Sequence, residues 1–155
     1  MKITCLYAIL IFVSCNPLKE KGETNPADEK DLNATTVQTN LSTGCYKMNI
    51  EKDTALMNIS VAGNAVTGTL FYKRFEKDSN TGNITGKYEN GKITGWYNFL
   101  SEGKSSVRQV IFKVSETGIT EGYGDIEMTG DTVYFKFPHA LQYEEQHPFK
   151  KMDCK

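Results

Sequence analysis

Between residues 54 and 137 apolar and polar side chains alternate, and glycine-bearing turns break the alternation at short intervals. A period of two marks a strand with one buried face. Turns this close together predict antiparallel neighbours in sequence order, because a parallel crossover needs a dozen or more connecting residues. Val66-Thr67-Gly68, Ile84-Thr85-Gly86 and Ile93-Thr94-Gly95 repeat one strand motif three times.

The turns also set the register, and a slip of one residue would turn every side chain to the other face. Gly63-Asn64 pairs Val61 with Val66, Ile59 with Gly68, Met57 with Leu70 and Ala55 with Tyr72. Asn90-Gly91, a strong hairpin signal, pairs Glu89 with Lys92, Tyr88 with Ile93, Gly86 with Gly95 and Ile84 with Tyr97. Glu102-Gly103 pairs Phe99 with Ser106, Tyr97 with Arg108, Gly95 with Val110 and Ile93 with Phe112. Gly130-Asp131 pairs Met128 with Val133 and Ile126 with Phe135, with Asp125 opposite Lys136 on the other face. All four registers keep one apolar face continuous.

Longer loops at 78–82 and 115–118 join the remaining neighbours, and 45–51 and 149–154 supply first and last strands, about eight in all. Gly68, Gly86, Gly95, Gly122 and Gly124 are read as inward mid-strand glycines, which a sheet tolerates where it bends sharply. The expected fold is therefore all-β, a small antiparallel up-and-down meander barrel, with a two-sheet sandwich as the alternative. Residues 140–146 have the pattern of one helical turn.

Residues 1–14 read as a secretory signal, since Met1-Lys2 carries positive charge and 3–13 is an almost unbroken apolar run. That run is too short to span a bilayer, which takes roughly 20 residues. Phe12-Val13-Ser14-Cys15 resembles the lipobox of bacterial lipoproteins, with Phe12 in place of the usual leucine; the resemblance implies a lipid on Cys15 and stable membrane attachment. Residues 15–42 are then the lipidated cysteine and a polar tether of roughly 30 Å root-mean-square span, and 43–155 the barrel domain. With Cys5 lost and Cys15 lipidated, Cys45 and Cys154 remain at the two ends of the domain and are expected to form a disulfide, as an exported compartment permits. That pairing needs first and last strands to be neighbours. A formal net charge of −1 gives no attraction to nucleic acid.

Gly63 to Gly68, Glu76 to Asn80, Ser101 to Gly103 and Glu121 to Asp125 resemble segments of small lipoproteins of Bacteroidota, which join a lipobox, a polar tether and a lipocalin-like, calycin-type barrel. The likeness covers the domain and implies a cell-envelope address, lipid-anchored to the outer membrane with either face open, but no activity. Ile93-Thr94-Gly95-Trp96-Tyr97-Asn98 is also similar to one strand of the avidin barrels. Avidins surround biotin with several tryptophans, whereas this chain has Trp96 alone, so the likeness extends to barrel construction and not to biotin.

The register turns Arg108 inward across from Tyr97 and Arg74 inward at the same barrel end. An inward guanidinium needs a partner or water, and its planar fork suits a carboxylate or phosphate. One expectation is a cavity in the barrel for a small anionic or amphipathic molecule, with Arg74, Arg108, Tyr72, Tyr88 and Tyr97 as ligand-binding residues. The structural alternative has Arg74 paired with Asp53 or Glu76, Arg108 capping the core against an internal acid, and the tyrosines filling the core. Trp96 faces outward with Asn98 and Leu100 and is the candidate anchor for an envelope protein partner. No metal, cofactor or catalytic constellation is expected: the cysteines lack the spacing that zinc needs, His139 and His147 stand eight residues apart in a segment without an assigned element, and no nucleophile, zinc or phosphate-loop motif occurs. The leading expectation is a non-catalytic interaction or scaffold barrel, which a packed interior would favour; the alternative is a lipocalin-like binder.

Overall fold

The computed structural model describes residues 41–101 and 103–154. The signal segment, Cys15 and all of the tether but its last two residues lie outside them. Among the described residues every regular element is a strand. Seven run as an antiparallel meander: β1 (Gly44–Ile50), β2 (Asp53–Ala62), β3 (Ala65–Lys73), β4 (Asn80–Glu89), β5 (Lys92–Ser101), β6 (Lys104–Ser115) and β7 (Gly118–Tyr123). Four short strands follow: β8 (Ile126–Thr129), β9 (Thr132–Phe135), β10 (Gln142–Tyr143) and β11 (Lys150–Met152). The fold is the expected all-β meander.

The turn chemistry produces the expected registers. Val61 lies opposite Val66 and Ala55 opposite Tyr72, Ile84 opposite Tyr97, and Tyr97 opposite Arg108. Asn90 and Gly91 both adopt positive φ, 51° and 73°, the left-handed backbone that a type I′ hairpin turn requires and that asparagine and glycine tolerate. Gly86 and Gly95 face each other, and a Cβ on either would lie 2.8 Å from the other's Cα. Adjacent strands therefore approach more closely here than any side chain allows, which is how the sheet coils tightly enough to wrap.

β1 pairs with β11, Cys45 lying opposite Met152. Immediately before β11, Phe149 exchanges two backbone hydrogen bonds with Ile119 of β7, at 3.0 and 2.7 Å. That pair joins the two ends of the meander, and β1 to β7 with β11 are the eight staves. The Cys45–Cys154 disulfide, linking residues 109 apart in sequence, ties β1 to the chain just beyond β11.

The inward faces form one continuous core. Ala55, Val66, Leu70, Ile84, Ile93, Phe112 and Phe149 are wholly excluded from solvent. Each larger one contributes about 1.5–3 kcal/mol by burial. Leu41 is buried in the same cluster, the Tyr46 hydroxyl donates to the Ser42 carbonyl at 2.6 Å, and Lys151 Nζ donates to Ser42 Oγ at 2.8 Å. Leu41 and Ser42, assigned to the tether by composition, are thus packed into the domain.

Three local expectations change. β4 begins at Asn80, inside the expected loop at 78–82. The segment expected to form a helical turn instead contains β10, paired with Gly122 and Tyr123 of β7. Gly122 and Gly124 do not point inward: a Cβ on either would meet Leu141, at 2.9 and 2.7 Å. The chain around Leu141 covers the outer face of β7, so this strand is buried on both sides and its side-chain alternation carries no signal of direction.

Candidate functional site

β6 has twelve residues and β7 six. The two pair only from Phe112 opposite Glu121 to Ser115 opposite Gly118, which leaves residues 104–111 of β6, paired to β5 on one edge, without a meander neighbour on the other. β9 takes that edge. It pairs parallel with β6 at Val107 and Arg108, assisted by a Val107 N–H bond to the Asp131 carbonyl at 3.0 Å and a Phe135 N–H bond to Gln109 Oε1 at 2.9 Å. The Gly130-Asp131 hairpin therefore has its expected internal register without being a stave. Its apolar residues stay out of the barrel core, with Ile126 60% and Met128 73% exposed.

Between the diverging strands and this hairpin lies a groove of about 470 Å³. Phe99 and Arg108 line it from the barrel, Tyr123 from the end of β7, and Ile126, Met128 and Phe135 from the hairpin. Its volume is within the roughly 300–1,000 Å³ of small-molecule sites, and its make-up, mostly apolar with a few placed polar groups, is also theirs. Arg108 is half-buried and makes no ion pair among the described residues.

Behind the groove wall is a buried acid. β7 turns Ile119 and Glu121 to the barrel interior, and Glu121 is 6% exposed. Its Oε2 accepts hydrogen bonds from the Tyr72 hydroxyl at 2.8 Å and the Tyr123 hydroxyl at 3.3 Å. Desolvation raises the Glu121 carboxyl above its ordinary value, against the Tyr72 hydrogen bond, the Arg108 guanidinium, the Tyr123 hydrogen bond and the Arg74 guanidinium, which all pull it down. Burial and the adjacent Glu121 charge push the Tyr72 and Tyr123 phenols up in turn. Tyr97 is pushed up to about 12, mainly by burial.

The residues singled out by sequence divide accordingly. Tyr72, Tyr97 and Arg108 come together at one end of the barrel. Tyr97 is committed to the core: its hydroxyl donates to the Leu70 carbonyl at 3.0 Å, its ring stacks on Phe99 at 4.6 Å between centroids, and Tyr72 meets it edge-on at 5.9 Å. Tyr88 lies elsewhere, beside the Asn90-Gly91 turn and opposite Ile93, packed against the core. Arg74 belongs to the same end as Arg108, where its guanidinium also acts on Glu121 and Tyr123, but it is exposed and not enclosed by the barrel. β3 ends at Lys73, the Asp53 carboxylate accepts the Phe75 N–H at 2.7 Å, and positive φ at Glu76 turns the chain away, so Arg74 is exposed. It lines a second, smaller cavity of about 250 Å³ with Lys73, Lys77, Tyr72 and Tyr123. Trp96 is outward and 40% exposed, between Thr85 and Gln109.

Glu121 and Tyr123 were missed by sequence reasoning. The available signal was Ile119: an apolar residue at the start of β7, with Glu121 and Tyr123 on the same face by alternation. Comparison of the chain with protein families, with curated proteins and with solved structures finds no match.

Proposed function

We propose that the chain is a non-catalytic binding module of the cell envelope, anchored by a lipid on Cys15, and that it holds a small amphipathic anion in the groove between β6, β7 and the β8–β9 hairpin. The observation that carries this reading is Arg108, a half-buried guanidinium without an ion pair among the described residues, at the wall of an apolar cavity of about 470 Å³. Removing such a charge from bulk water costs several kcal/mol unless a counter-charge offsets it, and a bound carboxylate, phosphate or sulfonate supplies two parallel hydrogen bonds to the guanidinium. The ligand's apolar part then covers Ile126, Met128 and Phe135.

This reading moves the ligand from the barrel interior, which side chains fill, to its side. The envelope address and lipid anchor follow from the sequence resemblance. The partner-scaffold reading keeps one specific support, the exposed Trp96 and the 62% exposed Leu100 on the outer face of β5, where aromatic anchors suit a protein partner.

The test is a titration of the full chain with anilinonaphthalene sulfonate, an amphipathic anion, followed by fluorescence and by NMR of the methyl groups of Ile126, Met128 and Val133. Saturable binding that shifts these methyls and is lost in Arg108→Leu is expected. Saturation without methyl shifts, or equal binding by the variant, would overturn the groove as the site.

A further inference from the structure

Resting on the groove reading, we infer that anion binding at Arg108 is coupled to uptake of a proton by Glu121, so that the site loads at lower pH and releases its ligand as pH rises.

Arg108 is the one cation among the described groove residues; Tyr123 lines the same groove and donates its hydroxyl to Glu121 Oε2 at 3.3 Å, so the acid lies one side chain behind the wall, where the guanidinium pulls its carboxyl down. Within the groove one guanidinium thus serves Glu121 behind the wall and the acid of the ligand, with Asp131 a further acidic residue of the lining. Ion-pairing with a ligand draws that positive field away from Glu121 and adds a like charge nearby, both of which favour the protonated carboxyl. Glu121 is 6% exposed within the barrel, so bulk solvent does little to offset the lost field.

The groups facing Glu121 do not replace Arg108. Tyr72 of β3 and Tyr123 of its own strand already donate to Oε2. Tyr97 of β5 spends its hydroxyl on the Leu70 carbonyl. Arg74, beyond β3, also pulls the Glu121 carboxyl down, but less than Arg108 does, and it is exposed to solvent and lines the other cavity. The three phenols stay neutral through the acidic and neutral range, since burial raises each of them. Glu121 is therefore the member of this cluster that exchanges a proton with solvent. Because the coupling is reciprocal, a ligand that raises the proton affinity of Glu121 is itself bound more tightly when Glu121 is protonated. Affinity is highest below the Glu121 pKa of the free protein, falls as pH rises through the interval between its free and bound values, and is flat above.

The experiment is calorimetry of the full chain with anilinonaphthalene sulfonate, whose sulfonate stays ionised throughout, in buffers of different ionisation enthalpy and over a pH series. Arg108→Leu sets the background. Affinity is expected to fall with rising pH by up to about tenfold per unit within the coupled interval, with net proton uptake on binding. In Glu121→Gln, which keeps an acceptor for both phenols but does not ionise, binding persists and both the pH dependence and the uptake disappear. Wild-type binding without proton uptake, or a pH dependence that survives in Glu121→Gln, overturns the coupling while leaving the groove reading intact. Absence of binding above background at every pH in both proteins overturns the groove reading and the coupling with it. The wild-type proton count stands by itself should Glu121→Gln fold poorly.

Discussion

Replacing Phe149 by alanine tests whether the sheet closes. The side chain is wholly buried and meets Phe112 edge-on at 6.1 Å between centroids. Its backbone makes the two hydrogen bonds that join β7 to the segment leading into β11. Truncating a buried phenylalanine costs about 3–5 kcal/mol in transfer and cavity energy, a large part of the roughly 5–15 kcal/mol that holds a domain together. The Cys45–Cys154 disulfide is untouched, so the loss belongs to the closure and not to chain entropy. With a urea dependence of about 1–3 kcal/mol per molar, the unfolding midpoint falls by roughly 2 M. Met128→Ala is the control: at 73% exposure it costs about 0.5 kcal/mol or less. Equilibrium unfolding in urea measures both, and hydrogen exchange at the Ile119 and Phe149 amides reports whether the closing pair opens before the domain does. A Phe149→Ala cost near that of the control, with those amides exchanging as fast as loop amides, would refute the closed barrel and leave an open sheet.

Replacing both Cys45 and Cys154 by serine removes a cross-link spanning 109 residues; on a chain-entropy account it lowers stability by up to about 4–5 kcal/mol, measurable as a fall in the urea midpoint with the barrel register retained. Gly68→Ala places a Cβ 1.9 Å from the Asn58 carbonyl oxygen and 2.9 Å from the Ile59 Cα. Backbone must move, so thermal unfolding is expected to show a loss of at least about 1–3 kcal/mol, the range of core overpacking. For Glu121 the folded-state pKa lies above the unfolded one, chiefly through burial; its contribution to stability is full below the unfolded value and is lost as pH rises through the folded value. The difference in stability between wild type and Glu121→Gln should therefore shift against wild type across that interval, by no more than about 1.4 kcal/mol per pH unit, and a difference independent of pH would sink the assignment of a raised carboxyl.

How much of this was readable beforehand depends on the kind of turn that preceded each residue. Arg108 was placed opposite Tyr97 because the short turn at Glu102-Gly103 fixes the count, and the structure has that pair. The exposure of Arg74 is not legible in this way, because no tight turn follows it: β3 ends one residue before it, and the Asp53 carboxylate that captures the Phe75 N–H sits 22 residues earlier, beyond local pattern. The inward direction of Glu121 is hidden for a different reason. From Ile119 to Gly122 all four residues of β7 are buried, because Leu141 covers its outer face, and a strand buried on both sides loses the alternation by which direction is read.

The β8–β9 hairpin sharpens the point. Its turn and its alternating residues are of the same kind as those of the barrel hairpins, and its internal register came out right, yet it packs outside the core. Local pattern determines which residues of a hairpin face each other and says nothing of the edge on which the hairpin docks. What decides the docking is a mismatch: β6 is twice as long as β7, pairs with it only over its last four residues, and the remaining edge must be paired or left open. A parallel contact of two residues occupies the middle of that edge but is too short to draw the hairpin into the wall. Its apolar face is held at a distance from Arg108, and the space so created is the groove.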